Sequence, residues 1–389
     1  MSIPPIFRIV FLSVMTHTAY KGSKVLMSLS ALDLGANEFV VGLLFSAYAL
    51  FPLLISVYAG KISDRIGSRW PMLFGAGGLL AGLLLPFAWQ RIEVLYVAAA
   101  LIGCCYIFYT VAVQHLIGAM SEGSERTQNY SWFSLGIGMT ALLGPTSSGF
   151  LIDAIGHRNT FAALAVLPVI PFLLIGLIKG WLPPAKPHEK HDKAAGRGGG
   201  LMRNPSLRRA LITAGIIETG LELYNLLLPI YGHRIGLSAS EIGVLLGAFG
   251  VALLVVRAVM PHLVRRSSEE AVLGASLVLA AAVCLVFPFV TGFSALLAIS
   301  FVMGLGLGCG SPLSMMLAYN RSPAGRSGEA MGLRQMINKG TEVMVPLVFG
   351  SLSAALGMVP VFWLDAGLLA IAAWLMRLDV RKHGSVSRQ

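Results

Sequence analysis

The sequence predicts an all-α integral membrane protein in which twelve transmembrane helices form two pseudo-symmetric six-helix halves. Three observations support this fold class: the apolar composition, the placement of lysine and arginine, and an internal repeat. Of the 389 residues, 56% are hydrophobic and 12% are charged, which is about half the charged share of a soluble domain. Stretches of about 20 apolar residues, long enough to span a bilayer core, recur along nearly the whole chain. The composition therefore excludes a soluble globular protein.

The helices are placed by these apolar stretches and by the polar residues between them. The N-terminal stretch lacks the small-residue cleavage site of a signal peptide, so it is predicted to remain as the first helix. The predicted helices span residues 6–30, 37–59, 71–89, 93–119, 128–151, 158–180, 208–232, 240–264, 269–290, 293–319, 327–354 and 358–377.

Lysine and arginine fall mainly on one side of this arrangement. Of the 29 basic residues, 21 lie in the alternate loops that include both termini, and the opposite loops hold only Arg91, Arg158 and Arg234. Because basic loops mark the cytoplasmic side, both termini are predicted to be cytoplasmic, in an inner (cytoplasmic) membrane. The net charge of +11 therefore reflects topology, and the predicted partner is the lipid bilayer and not nucleic acid.

An internal repeat divides the chain. Shifting the sequence by 201 residues aligns Gly42 with Gly243 and Pro145 with Pro346. The same offset holds from the first helix to the sixth, which indicates a duplication. We predict an N-terminal half over 1–180, a cytoplasmic linker over 181–206 that is rich in Pro, Gly and charge, and a C-terminal half over 207–389.

The loop between the second and third helices contains Gly60, Asp64, Arg65, Gly67 and Arg69 at the spacing G-x-x-x-D-R-x-G-x-R. It resembles the GxxxDRxGRR signature of the major facilitator superfamily of secondary transporters. The resemblance implies a solute site between the two halves and a cytoplasmic gate, in which Asp64 latches the halves together. A simpler interpretation is that the motif only fixes topology. The matching stretch of the second half, residues 261–266, lacks the glycine and the acid.

The fifth helix contains a second motif, built on Gly144, Pro145 and Gly149. It resembles the GPxxGG part of a motif associated with proton-driven exporters. The match is incomplete, because Thr140 and Ser148 stand where that motif has glycines. Gly144 and Pro145 equally fit a kinked, closely packed helix.

Ionisable residues inside the predicted helices are the strongest functional signal, because a charge at the bilayer centre costs about 2.5–3.5 kcal/mol. In the first helix, His17 and Lys21 are four residues apart and share a face. The 201-residue offset matches them with Glu218 and Glu222 of the seventh helix. These pairs are predicted to face a central cavity with opposite charge.

Further polar residues belong to the eighth and eleventh helices, where Arg334 lies near the cytoplasmic end and is able to snorkel to the interface. Three interpretations remain open: a salt-bridge network that holds helices in register, a site for a charged solute, and a proton-carrying carboxyl group. The predicted substrate-binding residues are Lys21, Arg257, Lys339, Asn338, Gln335 and Glu222, and the predicted proton-coupling residues are Glu218, Glu222, Glu342 and His17.

The sequence as a whole predicts a secondary active transporter of a small charged organic solute, a carboxylate or zwitterion, that works by alternating access and is coupled to protons or to an exchanged solute. The alternatives are a proton-driven exporter of drugs or metabolites and a non-transporting receptor with the same fold. The sequence contains neither a phosphate-binding glycine loop nor a nucleophile with an adjacent base, so nothing in it indicates an enzyme. We expect a monomer without cofactor. We also expect no bound metal, because Lys21 would repel a cation near His17.

Overall fold

The computed structural model describes residues 4–120, 123–178, 182, 202–323 and 326–386. Within these residues all regular structure is helical, with 3-10 turns at residues 202–203 and at Phe287–Phe289. The helices are α1 (Pro5–Asp33), α2 (Glu38–Ile66), α3 (Arg69–Ala88), α4 (Ile92–Met120), α5 (Gly123–Leu177), α6 (Pro205–Arg234), α7 (Ala239–Arg266), α8 (Glu269–Val286), α9 (Phe293–Gly308), α10 (Gly310–Asn320), α11 (Ser327–Leu356) and α12 (Met358–Val386).

These helices correspond closely to the predicted ones. The fifth and sixth predicted helices are the two segments of α5, which join at Gly156, a residue with non-helical φ of 78° and ψ of 165°. Next, α6, α7 and α8 are the seventh to ninth predicted helices, and α9 with α10 forms the tenth. The predicted all-helical membrane fold in two six-helix halves is confirmed.

Nine helical stretches among the described residues are long and apolar enough to cross a membrane. One of them, Gln128–Leu177, has 50 residues, and a single crossing needs about 20. Two helices outside this set, α1 and α11, contain several of the ionisable residues that the sequence assigns to the solute path. The others lie on α6 and α7, which belong to the set.

The helix ends follow local chemistry. The side chain of Asn37 accepts a hydrogen bond from the Val40 amide at 3.1 Å and caps α2, and Ser268 caps α8 through the Ala271 amide at 3.1 Å. At the other end of α2, Gly67 has a φ of 77°, a conformation that only glycine adopts at little cost.

The chain forms two compact units. One comprises the described residues up to 182 together with Pro229–Gly247, and the other comprises residues 202–228 together with those from Ala248 onward. In the first unit, α1 packs on α5, and α4 packs on α2 and α3; in the second, α8 packs on α12 and α9. The predicted linker lies mostly outside the described residues, and the boundaries of the two halves stay a prediction.

Candidate functional site

Carboxylates of α6 lie beside polar residues of α11 in the second unit. The Asn338 amide donates a hydrogen bond from Nδ2 to Glu218 Oε2 at 3.3 Å. Glu218 also interacts electrostatically with Glu222 and Glu342, and with two cations of α11. We call Glu218, Glu222 and Glu342 the carboxylate cluster. The structure thus brings together residues that the sequence placed on two separate helices.

One of the cations is already paired within its own helix. Lys339 Nζ lies 2.6 Å from Glu342 Oε1, three residues along α11. The lysine side chain is 33% exposed and the glutamate 18%, so the pair is partly shielded from solvent. This contact is the intrahelical neutralisation that the salt-bridge interpretation predicts.

The other cation, Arg334, is buried, with 5% of its surface exposed. Its Nη2 atom donates to the carbonyl and hydroxyl oxygens of Ser311, both at 3.1 Å, and to Ser314 Oγ at 3.3 Å. Arg334 therefore joins α11 to α10 inside the protein and does not snorkel to the interface. The cause is the pair of small hydroxyl residues on α10, which offers acceptors inside the protein.

Two further predicted substrate-binding residues are not buried with the cluster. Arg257 of α7 and Gln335 of α11 both have exposed side chains. Their role in binding a solute stays a prediction.

In the first unit, His17 is enclosed by aromatic rings. Its ring centroid lies 5.1 Å from that of Tyr106 and 6.3 Å from those of Tyr109 and Phe133, and the residue is 3% exposed. The Nδ1–H group donates to the Ser13 carbonyl at 2.8 Å, so Nδ1 carries a proton and Nε2 is turned away from this contact. Lys21, one turn further along α1, is half-buried.

Next to these residues lies an aromatic group made of Tyr20, Tyr48 and Tyr106. The rings of Tyr20 and Tyr106 are stacked with centroids 3.7 Å apart and an interplanar angle of 3°, and Tyr48 meets Tyr20 edge-on at 5.7 Å. The ammonium of Lys24 lies 5.7 Å from the centroid of Tyr20. This combination of a flat aromatic face and a cation suits a flat or anionic solute.

The glycines of the fifth-helix motif lie where helices approach closely. A Cβ atom on Gly144 would come 2.8 Å from Lys21 Cβ and 2.9 Å from the Gly22 nitrogen and the Thr18 oxygen. A Cβ atom on Gly149 would likewise clash with the Ala239 carbonyl of α7, on the other side of α5. The motif therefore lets α5 contact both α1 and α7, as the packing interpretation requires.

The cytoplasmic-gate motif lies at the end of α2 and the start of α3. Arg69 donates from Nε to the Ile175 carbonyl at 3.2 Å and from Nη2 to the Gly176 carbonyl at 3.1 Å, which ties α3 to the end of α5. A Cβ atom built on Gly60 would have its nearest neighbour, Val111 Cγ1, 4.0 Å away, so this glycine is not in close contact with another helix. Arg65 is exposed. The side chain of Asp64 is outside the described residues, so its latch stays a prediction.

Sequence reasoning missed a buried carboxyl group in α12. Asp365 is 2% exposed, and the Cys284 thiol donates to its Oδ2 atom at 3.5 Å. The signal was present, because a lone aspartate within an apolar helix indicates a functional or paired group. Groups of three or more metal-binding side chains do not occur in the part of the chain that the structure describes.

Comparison with known proteins places these features in a family. The model of the Major Facilitator Superfamily matches residues 9–266 and, in a second match, residues 210–388. The chain is 27% identical to the multidrug resistance protein MdtG of Klebsiella pneumoniae (strain 342) over 355 residues, which covers 90% of this chain and 85% of that protein. It is also 27% identical over 343 residues to MdtG of Salmonella paratyphi A, with 86% and 84% covered.

Solved structures show the same fold at lower sequence identity. A peptide transporter POT in complex with sulfate superposes with a TM-score of 0.81 at 15% identity and covers 97% of this chain and 94% of its own. The nucleoside transporter NupG superposes with a TM-score of 0.76 at 13% identity, with 97% and 99% covered. Both halves of the chain thus match a family of transport proteins, which are not enzymes. The chain belongs to the Major Facilitator Superfamily and is a multi-pass membrane transporter of small molecules.

Proposed function

We propose that this transporter exports lipophilic organic solutes in exchange for protons, and that the carboxylate cluster of α6 and α11 carries the proton. The observation that carries the proposal is the composition of this cluster. Three carboxyl groups interact with two cations, Arg334 and Lys339, so one negative charge is left over when every group is ionised. A bound proton removes that excess charge, and a bound organic cation can do the same.

The partners of Glu218 make it the best proton carrier of the three. Its described hydrogen bond comes from the neutral amide of Asn338, whereas Glu342 is bound to Lys339. A carboxyl group held by an amide keeps a hydrogen bond whether or not it is protonated, because the amide side chain can both donate and accept. Glu218 can therefore gain and lose a proton without losing its place in the site.

The comparisons support export of this kind. The relatives that cover most of the chain are named as multidrug resistance proteins, and the fifth-helix motif resembles that of proton-driven exporters. We accordingly prefer an exporter over the transporter of carboxylates or zwitterions that the sequence first suggested.

The carboxylate or zwitterion transporter stays a second candidate because of one observation. Lys24 lies over the ring of Tyr20 at 5.7 Å, and Lys21 lies three residues before it in the same helix. A flat carboxylate could stack on the aromatic group and bind these ammonium groups. In this case Lys21→Ala abolishes transport of a carboxylate such as benzoate, whereas an exporter of lipophilic cations is insensitive to the change.

We further propose that the protein lies in the cytoplasmic membrane with both termini in the cytoplasm and works as a monomer. The excess of basic residues in the loops that include the termini supports this orientation.

Everted membrane vesicles test the proposal directly. Ethidium is the probe, and an inwardly acidic pH gradient is imposed on vesicles that contain the wild type, Glu218→Gln or Glu93→Gln. Wild-type vesicles are expected to accumulate ethidium when the gradient is applied. Glu218→Gln is expected to lose this response, because the glutamine amide imitates a permanently protonated carboxyl group.

The matched control is Glu93→Gln, which removes an exposed carboxylate near the start of α4 and should leave accumulation unchanged. Equal accumulation in wild-type and Glu218→Gln vesicles, at equal protein content, would show that Glu218 does not carry the proton.

A further inference from the structure

A short sequence in α5 repeats the gate motif of α2. At a constant offset of 89 residues, glycine, aspartate, isoleucine, glycine and arginine recur in the same spacing. The repeated residues are Gly60, Asp64, Ile66, Gly67 and Arg69 in the first copy and Gly149, Asp153, Ile155, Gly156 and Arg158 in the second. In the predicted topology the first copy lies at the cytoplasmic end of α2, and the second lies at the outer end of the first segment of α5. The two copies are therefore on opposite sides of the membrane.

The backbone of the two copies agrees. Gly67 has φ of 77° and ψ of 176°, and Gly156 has φ of 78° and ψ of 165°. This region of conformational space is accessible almost only to glycine. Each glycine therefore ends one helical segment and turns the chain into the next in the same way.

The arginines of the two copies make reciprocal contacts. Arg69, at the start of α3, donates to the carbonyls of Ile175 and Gly176 near the end of α5. Arg158, near the start of the second segment of α5, donates to the Phe87 carbonyl near the end of α3 at 2.9 Å. Each arginine thus satisfies carbonyl groups at the C-terminal end of the other helix, where they lack partners within their own helix.

The aspartate of the second copy binds the start of α7. Asp153 Oδ1 accepts a hydrogen bond from the Ala239 amide at 3.2 Å, and Oδ2 accepts one from the Ser240 amide at 2.7 Å. These are the first two residues of α7, whose amides have no partner within the helix. A carboxylate at this position also interacts favourably with the helix dipole. Nearby, Arg234 Nη2 at the end of α6 lies 4.0 Å from Glu38 Oε1 at the start of α2.

Glycines bring the two helices close enough for this contact. A Cβ atom on Gly243 would lie 2.7 Å from the Pro145 carbonyl oxygen and 3.2 Å from Gly149 Cα. The Thr146 hydroxyl donates to the Gly243 carbonyl at 3.2 Å. The start of α7 is therefore held against α5 by backbone contact and by the Asp153 carboxylate.

We propose that Asp153, together with Gly149, forms an outer latch that closes the end of the transporter opposite to Asp64. Opening the solute path to that side requires α7 to leave α5, which breaks both hydrogen bonds to Asp153. The 201-residue offset matches Asp153 with Ala354, so the second half supplies no corresponding acid. The inference rests on alternating access in the family and not on the solute or on the coupling ion.

Thiol labelling tests the latch without a transport assay. In a background with the four native cysteines replaced, Thr146→Cys places a thiol under the contact between α5 and α7. A membrane-impermeant maleimide added to intact cells reaches this thiol when the contact opens. Asp153→Ala is expected to raise the labelling rate about fivefold, the effect of losing one helix cap, and Asp153→Asn is expected to raise it less because it keeps one acceptor.

The matched control is Glu241→Ala. Glu241 accepts from the Ser238 amide at 2.8 Å and so caps α7 from within its own segment, without binding α5. Labelling of this variant at the wild-type rate is expected. The latch is refuted if Asp153→Ala labels at the wild-type rate, or if Glu241→Ala accelerates labelling as much, since the effect would then come from helix capping alone.

Discussion

Side chains of the site make contacts within one helix and contacts between helices that are distant in the sequence. Lys339 and Glu342 were predictable as a pair because they are three residues apart on one helix. The enclosure of His17 was not, because Tyr106 and Phe133 come from helices that are distant in the sequence. Periodicity along one helix shows which residues share a face, but it does not show which side chains cover that face.

The close contact at Gly144 predicts a large effect of a small substitution. Gly144→Ala is expected to lower the free energy of unfolding by about 1–3 kcal/mol, because the added methyl group overpacks the contact with α1. A thermal-shift measurement on purified protein in detergent should show a lower Tm than that of the wild type.

Gly340→Ala in α11 is the control, because no heavy atom lies within 4 Å of the position where its Cβ would be built. Its Tm should equal or exceed that of the wild type, as alanine favours helix. Equal Tm values for the two variants would contradict the close packing of α1 and α5.

The helices were mostly predictable from hydropathy, and the exceptions have physical causes. Two predicted helices join without an intervening loop at Gly156, because the turn needs only one residue with positive φ. The latch residue Asp153 was missed because a single acid near a predicted loop is commonplace. Comparison of the first half with itself, at the 89-residue offset, would have revealed it.

The joint within α5 predicts a strain effect without any steric contact. No heavy atom lies within 4 Å of a Cβ built on Gly156, yet its φ is 78°. Gly156→Ala should therefore cost about 1–3 kcal/mol through backbone strain alone. The thermal-shift measurement should show a fall in Tm, and Gly367→Ala, which also has open space but an ordinary φ, should show none. A wild-type Tm for Gly156→Ala would mean that the joint relaxes.

The architecture of the whole molecule was predictable because it is repeated. The 201-residue offset indicates the two halves, and the family match and the solved structures agree with that fold. The solute was not predictable, because the fold is shared by transporters of different molecules. Lipophilic cations became the preferred solute only through the excess acid of the carboxylate cluster and the relatives.

The orientation of the molecule can be tested with fusions. Green fluorescent protein fused after Gln389 is expected to fluoresce in a bacterial host, because the excess of basic residues in the loops that include this end predicts a cytoplasmic position. Alkaline phosphatase fused after Gly236, in a loop predicted to lie outside, is expected to be active. A C-terminal fusion that does not fluoresce, together with inactive phosphatase, would show that the protein has the opposite orientation.

Simultaneous measurement of solute and proton flux tests the central claim most directly. Liposomes that contain the purified transporter and the internal pH dye pyranine receive ethidium on one side without an imposed gradient. The wild type is expected to move protons against ethidium in a fixed ratio, and Glu218→Gln is expected to lose the proton signal. Ethidium movement with no proton signal in the wild type, or an unchanged proton signal in Glu218→Gln, would contradict proton exchange through the carboxylate cluster.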